Sequence, residues 1–250
     1  DNTYGVSFCD YNNDGNIDLY VMNRTGQYSN QMFKNNGDKT FTNTSFTTNT
    51  HDSLRLSFIA SFFDMNMDGW QDFFVAQDKL YIRNSLYKNN GDETFTDITD
   101  ISGTASFIDG MSAAVADYDL DGDLDVFVVN RDGENDNLYI NNGQGMFTRA
   151  VRGPWIANKG DGRSCAWGDL NGDGKPELFV ANFVIKEGGQ FKEKHRNYLY
   201  LNSTDGKFEE QKIGVHVEER NASYGVSFVD YDYDKDLDIY ITNVSVADEN

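Results

Sequence analysis

Five short segments of this 250-residue chain place oxygen-bearing side chains at alternate positions. In the first, Asp10, Asn12, Asp14 and Asp18 stand at positions 1, 3, 5 and 9, and Asn16 at position 7 can offer its main-chain carbonyl. The second has Asp64, Asn66, Asp68, Trp70 and Asp72 in the same places, and the third Asp117, Asp119, Asp121, Asp123 and Asp125. Asp169, Asn171, Asp173, Lys175 and Glu177 form the fourth; Asp230, Asp232, Asp234, Asp236 and Asp238 form the fifth. Alternating oxygen donors on a tight loop let one hard cation collect about six or seven ligands. Carboxylates and amides without His or Cys select Ca²⁺ over zinc or copper. Gly15, Gly69, Gly122 and Gly174 at position 6 allow the positive φ of such a turn. The fifth loop departs from this, with Lys235 there and its charge close to any cation.

An EF-hand shares the opening spacing but needs a Glu at position 12 and flanking helices. Position 12 here is Val21, Val75, Val128, Val180 or Ile241, so that motif is excluded. Asp, Asn and Gly also mark plain turns. Recurrence at matched positions argues for more than turns, because carboxylates held this close repel unless a cation offsets them. Up to five Ca²⁺ sites are expected.

Around each loop the chain repeats about every fifty residues. A bulky residue stands two before the first Asp (Phe8, Phe62, Val115, Trp167, Phe228) and a small one three before it (Ser7, Ser61, Ala114, Ala166, Ser227). An apolar run such as Leu19–Met22 follows, as in a strand covered on both faces. In four units a hairpin comes next: MFKNNGDKTF from Met32, LYKNNGDETF from Leu86, LYINNGQGMF from Leu138 and LYLNSTDGKF from Leu199. Asn and Gly accept the left-handed backbone of tight turns. Four short antiparallel strands per unit is the size of a propeller blade. The expectation is all-β: a single β-propeller region over residues 1–250, with repeats near 4–54, 55–105, 106–160, 161–221 and an incomplete 222–250. That is about four and a half blades, favouring part of a larger ring. Helix content should be low.

The pattern D-x-[DN]-x-D-G-x-x-D followed by a Leu-Tyr-x-Asn-Asn-Gly hairpin resembles the FG-GAP/VCBS repeats of integrin-α-type propellers, in particular a bacterial and cartilage-acidic-protein branch. The resemblance spans nearly the whole chain. It implies a calcium-stabilised, usually seven-bladed propeller of secreted or cell-surface proteins, with positions 1, 3, 5 and 9 as ligands. Glu177 and Lys235 are the deviations. The ligand of such a propeller is not implied, since the fold serves adhesion, lectin and enzyme-associated roles alike.

A net charge of −20 argues against nucleic acid, which demands clustered Lys and Arg, and against an anionic membrane surface. No apolar run is long enough for a transmembrane helix, so no membrane insertion is expected. With 18 Phe and 14 Tyr the chain is not a disordered acidic tail. The connections from the second to the third strand of each unit, and from one unit to the next, gather most of the basic residues on the side opposite the acidic loops. Arg152, Trp155, Arg163, Lys192 and Arg196 there are candidates for gripping a protein or glycan. The three histidines, His51, His195 and His216, are scattered in the repeat register, and no nucleophile or phosphate-loop motif occurs, so no enzymatic activity is expected. The reading is an extracellular interaction, adhesion or structural module. A carbohydrate-binding lectin is the alternative; a non-catalytic propeller within a larger secreted enzyme comes third. Cys9 and Cys165 are expected to remain unpaired. Loop sites of modest affinity suit the calcium levels found outside cells.

Overall fold

The computed structural model describes residues 3–24, 28–51, 56–78, 81–157, 160–187, 190–203, 207–212, 214 and 222–244, with the backbone alone over 185–194. Four four-stranded meanders follow one another, every pairing antiparallel. The first is β1 (Thr3–Cys9), β2 (Asp18–Asn23), β3 (Gln31–Asn35) and β4 (Phe41–Asn43); the second is β5 (Ser57–Phe63), β6 (Asp72–Gln77), β7 (Ser85–Asn89) and β8 (Phe95–Asp97). The third comprises β9 (Gly110–Ala116), β10 (Asp125–Asn130), β11 (Asn137–Asn141) and β12 (Phe147–Arg149). In the fourth, a two-stranded hairpin, β15 (Val184–Glu187) and β16 (Gln190–Lys194), is inserted between β13 (Gly162–Gly168), β14 (Glu177–Asn182) and the outer pair β17 (Tyr198–Asn202) and β18 (Phe208–Gln211). The final pair, β19 (Ser223–Val229) and β20 (Asp238–Asn243), opens a fifth sheet. Helix among the described residues amounts to one turn of α-helix, Thr99–Ser102, and one 3₁₀ turn, Pro154–Ala157.

The first strands β1, β5, β9, β13 and β19 pack successively against one another, so they line the inside of the array. That is the blade arrangement of a β-propeller. The small residues of the repeat explain the close approach. Ser7 Oγ donates to the Ala60 carbonyl at 2.6 Å, and Ser61 Oγ to that of Ala113 at 2.8 Å, so neighbouring inner strands touch backbone to side chain. Each first strand also carries a register shift near its start, as between Thr3 and Gly5 or Ser57 and Ile59. Such bulges bend and twist a strand.

The core is laminated, one apolar layer per pair of blades. Period-two alternation sends Phe73 and Val75 of β6 toward the first blade, with Tyr20, Met22 and Met32, while Phe74 and Ala76 meet Val126, Val128 and Tyr139 of the third. Phe127 and Val129 continue into the layer holding Leu178, Val180 and Tyr200; Phe179 and Ala181 face Phe228, Ile239 and Ile241. Strands β6, β10 and β14 are buried at every residue, as continuous apolar runs demand. Cys165 is buried in the third of these layers and Cys9 lies beside the first; neither is bonded. Burial pushes both thiols up, Cys9 to about 12, so each behaves as a small hydrophobe.

Candidate metal centres

All five acidic loops join the first strand of a blade to its second, on the side that also carries the third-to-fourth strand turns. Their backbones are nearly superposable in detail. The position-1 carboxylate accepts two main-chain N–H groups: Asp10 from Asp14 (3.1 Å) and Gly15 (2.8 Å), Asp64 from Asp68 and Gly69, Asp117 from Asp121 and Gly122. Asp169 and Asp230 do the same, the latter accepting from Asp234 and Lys235. The position-5 carboxylate accepts the N–H of position 7 in every loop, from Asn16 to Asp236, at 2.9 to 3.0 Å.

The left-handed turn at position 6 holds throughout: Gly15, Gly69, Gly122 and Gly174 lie at φ between 84° and 96°, and Lys235 follows at 81°. Sequence reasoning missed a second left-handed residue, at position 4. Asn13, Met67, Leu120, Gly172 and Tyr233 have φ from 55° to 70°. For Met67, Leu120 and Tyr233 this is a strained backbone, repeated at the same point of three loops. Only Gly172 and Asn13 advertise it by residue type.

Position 9 has two tasks. Asp18, Asp72, Asp125 and Glu177 are buried, and each accepts N–H groups from the residue after position 1 and from the end of the blade's third strand. Asp72 takes Met65 N at 3.1 Å and Asn89 N at 2.7 Å; Asp125 takes Tyr118 N and Asn141 N; Asp18 takes Tyr11 N and Asn35 N. Glu177 reaches Leu170 N at 2.8 Å and Asn202 N at 3.4 Å, its extra methylene serving the same stitch. Burial pushes Asp72 and Asp125 up to about 7, against those N–H donors and with the neighbouring loop carboxylates adding to it. Asp18 and Glu177 are raised for the same first reason. Asp238 keeps only the Tyr231 N–H among the described residues and is half-buried.

Do these residues fit a calcium ion? Oxygens bound to one Ca²⁺ at about 2.4 Å lie within about 5 Å of each other. Asp117, Asp119 and Asp125 bring one carboxylate oxygen each within 4.8 Å of the other two, and so do Asp230, Asp232 and Asp238. Loops one, two and four have Asn12, Asn66 and Asn171 at position 3, an amide oxygen in place of a carboxylate. The set is oxygen-only and fits. Position 7 is different from expectation in one respect. Its side chain is packed beneath the turn glycine of the same blade's hairpin: a Cβ on Gly37 would meet Asn16 Oδ1 at 3.3 Å, one on Gly91 the Trp70 indole at 3.0 Å, and one on Gly143 Asp123 Oδ1 at 2.6 Å.

The following blade supports each of the first three loops. Asn89 Nδ2 donates to the Tyr11 carbonyl (2.8 Å), Asn141 Nδ2 to that of Met65 (2.7 Å) and Asn202 Nδ2 to that of Tyr118 (3.2 Å). On the opposite side Arg24 pairs with buried Asp78 at 2.7 Å, and Arg131 spans Asp78 (3.2 Å) and Asp109 (3.1 Å), linking three blades.

Of the five residues expected to grip a partner, Trp155, Arg163 and Arg196 are engaged within the fold. Trp155 is 3% exposed, turned inward by the 3₁₀ turn to pack edge-on against Phe127, Tyr200 and Phe208. It offers no face to a ligand. Arg163 is spent on Asp161 at 2.9 Å and on the Phe183 ring, and Arg196 on Glu210 and the Tyr198 ring. Arg152 is exposed. Lys192 lies on β16, its side chain outside the described residues, in a segment that is a hairpin rather than the plain connection the sequence suggested.

Three overlapping stretches, residues 10–75, 64–128 and 117–180, match the model of the FG-GAP-like repeat. The chain belongs to this family of β-propeller repeats. It is similar to human (Homo sapiens) cartilage acidic protein 1, with 24% identity over 271 aligned residues, 98% of this chain and 39% of that protein. It thus spans about two fifths of the curated relative it matches. Similar solved structures include an Agrocybe aegerita lectin described as recognising non-reducing terminal N-acetylglucosamine, at 18% identity and TM-score 0.49, covering 95% of this chain and 74% of the lectin. A BBS1N–ARL6DN complex follows at 12% identity and TM-score 0.43, covering 96% and 76%. No helix of the described residues is long and apolar enough to cross a membrane.

Proposed function

We propose that this chain is a calcium-stabilised propeller module that binds partners outside the cell and carries out no chemistry of its own. The observation that carries the reading is the recurrence of one loop geometry. Positions 1, 3 and 9 converge in the third and fifth loops, two left-handed residues hold the turn in all five, and in the first four a buried position-9 carboxylate closes the site from below. The side chains of positions 1, 3, 5 and 9 would hold one Ca²⁺ per loop, with the position-7 carbonyl, up to five in all. Bound calcium would supply charge compensation and a crosslink; the chain's own part is to orient the oxygens and fix the loop to the hairpin below. Sites of this type need calcium at about 10⁻⁴–10⁻³ M, the extracellular range, which accords with a relative named for cartilage.

The test is a melting curve with and without chelator. Cation binding to the folded state adds stability by mass action, about 2.7 kcal/mol for a site at a hundred times its Kd. EDTA should lower Tm by several degrees, Ca²⁺ should restore it, and calorimetry should count four or five sites. An unchanged Tm would overturn the assignment.

A further inference from the structure

We infer that the first blade carries a pocket for a neutral sugar, on the side opposite the acidic loops. A cleft of about 370 Å³ opens between the β2–β3 connection and the segment after β4. That is within the range of small-molecule sites. Its floor is polar and already fixed. Asn23 N donates to Asn30 Oδ1 at 2.9 Å, Asn23 Nδ2 to the Ser29 carbonyl at 2.8 Å, and Asn30 Nδ2 to Ser57 Oγ at 2.7 Å. Its rim is aromatic and unburied: Phe46 is 76% exposed and Tyr28 48%. The His51 imidazole lies against one face of the Phe46 ring, with centroids 4.3 Å apart, and helps to hold it in place.

Two features narrow the ligand. The lining residues Thr3, Ser29, Gln31 and Ser45 supply hydroxyl and amide groups, and among the described lining residues none is Asp, Glu, Lys or Arg. In a chain of net charge −20, a described lining without charged side chains suits a phosphate, a sulfate or a cation poorly. It suits a polyol, whose hydroxyls exchange hydrogen bonds with amides and whose apolar ring face can rest on an aromatic one. Second, the rings are not a demand of the fold. The corresponding cleft of the third blade, about 330 Å³, is lined instead by Glu134, Asp136, Arg149 and the aliphatic Ile108, Val151 and Ile156. Exposed Phe46 and Tyr28, which the third-blade cleft lacks, suit a ligand that stacks.

The experiment is titration of the calcium-loaded chain, followed by saturation-transfer NMR, with methyl glycosides of glucose, galactose, mannose and their 2-acetamido forms. At least one should bind with Kd on the order of 1 mM. Phe46→Ala and Tyr28→Ala should each weaken it about tenfold, the effect of losing a stacked ring. Val151→Ala, in the third-blade cleft, should not change it. Because Phe46 and Tyr28 are exposed, the variants should keep the parent's melting shift with EDTA, so failure of the sugar site and failure of the calcium reading are separately visible. Absence of binding by all six glycosides, or binding insensitive to both aromatic truncations, would overturn the inference.

Discussion

Removing the Asn89 carboxamide should destabilise the chain far more than removing that of Asn35, its equivalent in the first blade. Both side chains receive a turn N–H on Oδ1 at 3.0 Å, from Gly91 and Gly37, and both donate to a loop carbonyl of their own blade, Gln71 and Ile17. Asn89 alone of the two makes a second donation, to Tyr11 O at 2.8 Å across the blade seam, and it is 1% exposed. A buried acceptor left unpaired costs about 1–3 kcal/mol, whereas a bond that water can replace is worth about 0.5–1.5 kcal/mol. Asn89→Ala should therefore lose about 2–4 kcal/mol and Asn35→Ala about 1 kcal/mol. In a chain of this size each kcal/mol moves Tm by about 2–4 °C. Urea denaturation of both variants at saturating calcium measures the difference. Equal losses at the two positions would refute the idea that the cross-seam amide, rather than the hairpin turn, is what these asparagines contribute.

Three further outcomes follow from the site. Asp72 and Asp125 sit near 7 when folded, above the roughly 3.9 of an unfolded aspartate, so they destabilise the calcium-free fold above pH 7 and that penalty fades as pH falls toward 4. In EDTA, the pH dependence of Tm between 8 and 5 should flatten in Asp72→Asn, and calcium binding near pH 7 should release protons in the parent, measurable by calorimetry in buffers of different ionisation enthalpy. Lys235→Gly removes a non-glycine residue from φ 81°, roughly 1 kcal/mol of strain, and a positive charge beside the fifth loop. It should raise the calcium affinity of that loop, and unchanged titrations would show the loop is limited elsewhere. Arg131→Met removes the guanidinium that pairs with both Asp109 and Asp78, and the loss should be about 3–5 kcal/mol by denaturation; a near-neutral variant would mean the pairing only offsets its own desolvation.

Much of this was legible because it is local. Ligand spacing and the position-6 glycine lie within one short loop, the Asn-Asn-Gly turn follows within the same repeat, and the blade pattern is that unit repeated. What the sequence hid depends on other blades or on backbone angles. Met67, Leu120 and Tyr233 do not announce a left-handed conformation; the loop imposes it. Trp155 reads as a surface aromatic in a basic connection, yet it fills the seam between two sheets. Arg163 and Arg196 look like free charges until Asp161 and Glu210 are placed beside them. Gly188-Gly189 between Ile185 and Phe191 was the available signal for the β15–β16 hairpin.

The asparagine amides at the seams all point one way: Asn89, Asn141 and Asn202 each reach back to the loop of the blade before. A ribosome delivers the chain in the same direction. Each of the first three acidic loops is therefore synthesised a full blade ahead of the donor that fastens it. In an array that folds as it is made, the newest loop would be the least secured.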